Sequence, residues 1–337
     1  MKYICDCVRG TLFFDYNTVK CGCSNTGGFV FQNFDGGFLN LENINQMRKN
    51  LVENFKKGIL PQVCQNCYML NTDDFGKIDE PLKKELDNIF ISHWLHCNCG
   101  CIYCCNGIVP KSKISSVKRK SEYYDLLPTI IKLCKEGYVG EHTKIQTIGG
   151  EPAVLDEFDE IMRWLRKYSK EKISFLTSGI DFSQTIYDFL KEGNASVCVS
   201  LDCGTPSLFF KIKRVDAFDK VLDNLKKYVS ANLQDENSVI LKYILINGLN
   251  DSVEEIDNFL NIARNLGIKQ VFLDINHNVF NKGKKIPKHW YELFEHYQNI
   301  SDLCTSVHVQ CQQILDKGYI FKSGLSVYNA FLLCRRA

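Results

Sequence analysis

"NIFISHWLHCNCGCIYCC", residues 88–105, runs an apolar strand pattern straight into five cysteines. The same rhythm continues down the chain. "TKIQTI" (143–148), "KISFLT" (172–177), "ASVCVSLD" (195–202), "SVILKYILI" (238–246) and "KQVFLDIN" (269–276) read as further strands. Between them lie helical patterns at 121–137 (interrupted by Pro128), 156–170, 182–193, 217–231 and 252–267. In 156–170, Phe158, Ile161, Met162, Leu165 and Tyr168 share one face at amphipathic spacing. Gly193 closes one helix, and Asp251-Ser252-Val253-Glu254-Glu255 gives another a capped start. Strands alternating with helices imply right-handed βαβ units and a parallel sheet. Six units fall short of a closed eight-fold barrel, so the expected fold is α/β, an open, partial barrel. Chemistry in such folds gathers where strands end. The first strand meets the cysteines, the second Gly149-Gly150-Glu151-Pro152 and the third Thr177-Ser178-Gly179. The fourth ends Ser200-Leu201-Asp202-Cys203 and the sixth Asp274-Ile275-Asn276-His277.

A chain of 337 residues with net charge +2 carries no global basic field, so nucleic acid is not an expected partner. The basic runs at 111–120 and 282–288 read as solvated loops, or as a greeting for an anionic substrate. "MKYICDCVRG" lacks a signal-peptide core, and no run reaches membrane-spanning length. The expected compartment is therefore the cytoplasm, with no membrane partner. Seventeen cysteines in a reducing compartment point to metal or redox chemistry and away from disulfides.

Cys97, Cys101 and Cys104 obey C-x3-C-x2-C, with Tyr103 before the last. Structural zinc usually takes four protein ligands, and a ferredoxin-type cluster takes four cysteines. Three thiolates leave one iron of a [4Fe–4S] cube open. With Gly149-Gly150-Glu151-Pro152 at the second strand's end, the pattern resembles the radical S-adenosylmethionine (radical SAM) enzymes, over roughly residues 88–280. That resemblance implies a partial (β/α)6 TIM-like barrel, a [4Fe–4S] cluster on Cys97, Cys101 and Cys104, and S-adenosyl-L-methionine on the open iron. It also implies reductive cleavage to a 5′-deoxyadenosyl radical, a hydrogen-abstracting oxidoreductase or related radical chemistry, and a flavodoxin- or ferredoxin-like one-electron donor. Gly149, Gly150, Glu151 and Pro152 would meet the methionine moiety, Glu151 accepting from its ammonium. Tyr103 would line the adenine, and Ser178, Ser200 and Asp202 the ribose. Lys242 would face the carboxylate. Ser178 and Ser200 read equally as strand-end polar residues, Asp202 as a helix cap and Lys242 as a solvent-facing lysine. Cys99 and Cys105 fall outside the spacing. His277 is a substrate-facing candidate or a histidine satisfied by neighbours.

Residues 1–87 carry Cys5, Cys7, Cys21, Cys23, Cys64 and Cys67, a helix at 41–58, and "VRGTLFFDYNTVK", which reads as a hairpin. So thin a core asks for a metal staple. The arrangement resembles the twitch or SPASM-type module that holds an auxiliary [4Fe–4S] cluster. Cys7, Cys21, Cys64 and Cys67 are the expected ligands, with Cys5 and Cys23 as spares and structural zinc as the alternative. The domains read as 1–87, this module; 88–301, the barrel; and 302–337, a C-terminal extension with Cys304, Cys311, Cys334 and a final helix. The resemblance implies a peptide or a small polar, sugar-like substrate. Cys203, Cys198 and Cys304 are hydrogen-donor candidates or buried fillers. The competing class is a non-enzymatic zinc or iron–sulfur interaction or redox-sensor protein on the same barrel.

Overall fold

A β-branched or aromatic residue at every second position suits a strand buried on one or both faces, and the strands form where such runs occur. The computed structural model describes residues 1–22, 28–34, 39–65, 67, 70–73, 76–104, 114–231, 235, 238–275, 287–297 and 304–308. The chain divides into two compact units, Met1–His96 with Val117–Ser174, and Cys97–Ser116 with Phe175–Ala337. These packing units cut across the 1–87, 88–301 and 302–337 segments drawn from sequence.

In the first unit, β1 (Tyr3–Ile4) pairs antiparallel with β5 (Asn71–Thr72). A second sheet runs β4 (Val30–Asn33), β3 (Thr18–Lys20), β2 (Thr11–Asp15), β6 (Asn88–Ser92) and β7 (Lys144–Thr147). The hairpin expected near the N-terminus is present as β2 and β3, with Phe14 opposite Val19. Its first residues belong instead to helix α1 (Asp6–Gly10). β2 then pairs parallel with β6 over its whole length, Thr11 opposite Asn88 and Asp15 opposite Ser92. Helix α2 (Leu41–Lys56) starts at Asn40, whose side chain accepts from the Asn43 N–H. Its buried Arg48 donates to the Val8 carbonyl at 2.9 Å and to that of Arg9, fastening α2 to α1.

Helix α3 (Leu127–Lys135) carries Pro128 in its first turn and is not broken by it. Proline in the first helical turn lacks only an N–H that has no partner there. Helix α4 (Phe158–Tyr168) buries Phe158, Ile161, Met162 and Leu165 as its periodicity requires. Tyr168, expected on that stripe, is half-buried and stacks on Trp164.

The second unit carries β8 (Ile173–Thr177, beginning at the end of the first), β9 (Ala195–Ser200), β10 (Val239–Leu245), β11 (Gln270–Ile275) and β12 (Cys304–His308) in spatial sequence. The pairings of β9, β10, β11 and β12 are parallel. Helices α5 (Gln184–Lys191), α6 (Pro206–Lys213), α7 (Phe218–Ala231) and α8 (Val253–Asn265) connect them. Ser252 caps α8 by accepting from the Glu255 N–H, and the Glu255 carboxylate accepts from Gly204 N–H at 2.6 Å. Cys198 stands opposite Ile240, and Phe272, opposite Lys242 on the next strand, packs with them on one face of this sheet. Ser200, Lys242 and Asp274 stand two residues further along each strand and so share that face. No helix among the described residues is long and apolar enough to cross a membrane.

Candidate active site

Strand β6 ends at Ser92, and the next residues meet the turn that follows β7. Gly150 N–H donates to the Trp94 carbonyl at 3.3 Å, and Glu151 N–H to the His96 carbonyl at 2.8 Å. These turns leave no room for side chains. A Cβ on Gly149 (φ +111°) would lie 2.4 Å from Ser92 Oγ, and one on Gly150 2.3 Å from the His96 carbonyl oxygen. Glycine is therefore required here by the protein's own packing. Glu151 is buried, and its Oε1 accepts from Ala153 N–H at the start of the turn holding Pro152. The buried Trp94 Nε1 and His93 Nδ1 find no hydrogen-bond partner among the described residues. His93 Nε2 sits 3.0 Å from Glu157, and burial outweighs that carboxylate in pulling the imidazole below its ordinary pKa.

In the second unit the cysteine loop is held at several points. Asn98, buried, accepts from Ser178 Oγ at 2.8 Å and donates to Asp181 at 2.8 Å. Gly100 N–H donates to the Lys213 carbonyl at 2.9 Å and Ile102 N–H to that of Ile212 at 3.0 Å. Cys97, Cys101 and Cys104 stay half-exposed, whereas Cys99 is buried and donates its N–H to Cys97 Sγ. A hydrogen bond from the Cys99 thiol, opposed by burial and aided by the Lys213 charge, holds Cys101 at about 6.

Tyr103 does not stand alone. Its hydroxyl accepts from Lys213 Nζ at 2.7 Å and donates to Asp202 Oδ2. Asp202 (φ +64°) is fully buried, ion-paired with Lys213, and accepts on Oδ1 from Ile244 N–H at 2.8 Å. Asn250 Nδ2 donates to its carbonyl at 2.8 Å. The residue before helix α6 is Thr205, which makes no capping hydrogen bond, and Asp202 stands too far upstream to be its cap. Lys242, 17% exposed, pairs with the buried Asp274 at 2.7 Å, on the sheet face described above and not toward solvent. Ser200 is half-buried beside it in register. Cys203 is buried and donates to the Leu201 carbonyl, and burial pushes the Cys198 thiol up to about 12. Lys213 was missed from sequence. Its only signal was a helix announced by Pro206, and nothing local pairs it with Asp202.

Among the N-terminal thiols, Cys5, Cys7, Cys21 and Cys64 are buried and Cys67 is half-exposed. Burial, then the neighbouring Cys21 and Cys67, raises Cys64 to about 11. A hydrogen bond to Cys7, then burial, raises Cys5. Phe29 N–H donates to Cys21 Sγ at 3.2 Å. Among the described residues no three Cys, His, Asp or Glu side chains form a ligand set for a single metal ion. A [4Fe–4S] cube takes its thiolates on separate irons and does not ask for such convergence. Cys23, Cys105, His277, Cys311, Cys334 and the side chain of Cys304 lie outside the described residues.

The family model of the Radical SAM superfamily matches residues 91–260. A Clostridium acetobutylicum "GTP 3',8-cyclase" is 29% identical over 194 residues, 57% of either chain. A Saccharolobus islandicus protein named "Probable GTP 3',8-cyclase" is 26% identical over 262 residues, 76% of this chain and 75% of that one. Among solved structures, Streptococcus suis SuiB bound to S-adenosylmethionine superposes at TM-score 0.52 with 13% identity. That match covers 87% of this chain and 61% of SuiB. SuiB bound to its precursor peptide SuiA gives 0.51, covering 90% and 62%.

Proposed function

The chain belongs to the radical SAM superfamily, and from that premise we propose that it uses a [4Fe–4S] cluster and S-adenosyl-L-methionine to abstract hydrogen from a peptide or small polar substrate. Cys97, Cys101 and Cys104 would hold the cluster. The observation that carries this is the loop itself: three half-exposed soft donors at family spacing, with their buried neighbours Cys99 and Asn98 turned inward. When bound, the cluster and its sulfonium partner supply the carbon-centred radical, chemistry no side chain performs unaided.

The chain's own residues hold and shape. Asn98 ties the loop's start to Ser178 and Asp181, and α6 ties its middle. Gly149, Gly150, Glu151 and Pro152 brace the backbone that enters the loop at His96. The unpartnered Trp94 Nε1 is a donor that asks for a polar group beside those glycines. Ser178 and Ser200 offer hydroxyls at strand ends, and Lys242 offers a charge for the cofactor's carboxylate. Asp202 and the Tyr103 hydroxyl serve the protein's internal network, so contact with the ribose would fall to the serines. Cys7, Cys21, Cys64 and Cys67 would bind an auxiliary cluster in a twitch-like module, reduced through a flavodoxin- or ferredoxin-like donor in the cytoplasm. The relatives nearest 30% identity are named for a nucleotide reaction, which favours a small polar substrate over a peptide.

The test is anaerobic reconstitution, reduction and incubation with S-adenosylmethionine, with and without GTP, reading 5′-deoxyadenosine. The loaded protein is expected to release it, and the Cys97→Ala/Cys101→Ala/Cys104→Ala variant to release none. An intact cluster with no cleavage product overturns the reading. In that triple variant, residual iron–sulfur absorbance supports the second cluster, and zinc without iron refutes it.

A further inference from the structure

Lys213 is a buried cation held away from water. It is 1% exposed, at the last turn of α6, beneath the cysteine loop. A buried ion pair contributes little net stability over an apolar pair of equal volume, because both charges lose their hydration. Lys213 and Asp202 nevertheless stand paired almost wholly out of water, and further contacts tie them and their helix to the loop. The Lys213 carbonyl accepts from Gly100 N–H, midway between Cys99 and Cys101. The adjacent Ile212 carbonyl accepts from Ile102 N–H. The ammonium donates to the Tyr103 hydroxyl and lies 5.2 Å from the centre of that ring. Asp202 accepts hydrogen bonds from the Tyr103 hydroxyl and the Ile244 amide. A Cβ on Gly100 would come within 2.5 Å of Ile114 and 3.5 Å of Arg214, so the loop backbone packs closely against its neighbours there.

We propose that Lys213 is a positioning residue for the cluster loop, fixing its backbone through α6 and setting, with Asp202 as counter-ion, the electrostatic field in which the cluster is reduced. The inference rests on the cluster assignment above. A positive charge held dry near a cluster favours the more negative, reduced state, and its counter-ion partly cancels it. Removing the cation therefore disfavours reduction, and removing the anion favours it. A scaffolding role alone would not change sign between the two.

The experiment is an EPR-monitored redox titration of the reconstituted full chain, following the signal that responds to S-adenosylmethionine. Lys213→Met is expected to shift the reduction equilibrium about tenfold toward the oxidised cluster, roughly 59 mV for a one-electron couple. Asp202→Asn is expected to shift it about tenfold the other way. Lys213→Met/Asp202→Asn is expected to return to within about threefold of the unchanged protein, by cancellation of the two charges. Should Lys213→Met fail to take up iron, Asp202→Asn and the double variant still decide. An unmoved potential in Asp202→Asn, or shifts of one sign throughout, overturns the proposal. A parent protein with no signal responding to S-adenosylmethionine overturns the cluster assignment instead.

Discussion

Gly150→Ala is expected to cost about 2–3 kcal/mol of folding stability and to lower iron uptake. Its Cβ would meet the His96 carbonyl oxygen at 2.3 Å and the Trp94 indole at 2.5 Å. Neither can step aside cheaply. Trp94 is fully buried, and the His96 carbonyl accepts the Glu151 amide. The overpacking penalty therefore falls at the upper end of its usual range, about 3 kcal/mol, offset by less than about 1 kcal/mol of entropy withdrawn from the unfolded chain. Gly137→Ala is the control in the same unit: φ is +75°, but no described residue lies within 4 Å of a Cβ. Only left-handed strain applies there, so about 1 kcal/mol is expected. Urea unfolding of both variants gives the comparison. Because His96 is peptide-bonded to Cys97, relief of the clash moves the first proposed cluster ligand, and iron per chain after reconstitution should fall in Gly150→Ala alone. Equal midpoints, or full iron uptake in Gly150→Ala, would refute the reasoning.

His93 is buried with its pKa lowered, so the unfolded chain binds a proton that the folded chain refuses. Its contribution to stability is complete above about pH 6.5 and drains away as pH falls below it, the ordinary imidazole range. His93→Gln, which keeps a donor for Glu157, should flatten the fall in urea midpoint between pH 7.5 and 5.5. Asp274→Asn strands the Lys242 ammonium and should cost about 3 kcal/mol in urea unfolding, whereas Lys242→Met/Asp274→Leu should recover most of it.

Every barrel strand read from sequence over 88–276 forms, because short β-branched runs bounded by turn residues announce strands whether they alternate, as in "KIQT", or run apolar, as in "YILI". The residues marking the site stand where those runs stop. Helix boundaries were less legible. Pro128 looked like a break and stands in a first turn, and Pro206 opens a helix that local pattern alone did not separate from the preceding loop. Non-local pairing was not legible at all. Nothing around Lys213 or Asp202 announces that they meet beneath Tyr103. Nor does the N-terminal hairpin announce that β2 will lie parallel to β6, since parallel partners share no connecting turn. The inward aim of Lys242 became clear only from its register with Ser200 and its pairing with Asp274.

The pairing of Thr11–Asp15 with Asn88–Ser92 changes what the cysteine-rich segment is for. Deleting that segment would strip amides and carbonyls bare along the strand that delivers the chain to the cysteine loop, a ready template for a neighbouring molecule. A truncated protein should then self-associate before any loss of chemistry can be measured. The segment thus doubles as a hem on the barrel, and its worth to solubility is separable from whatever metal it carries.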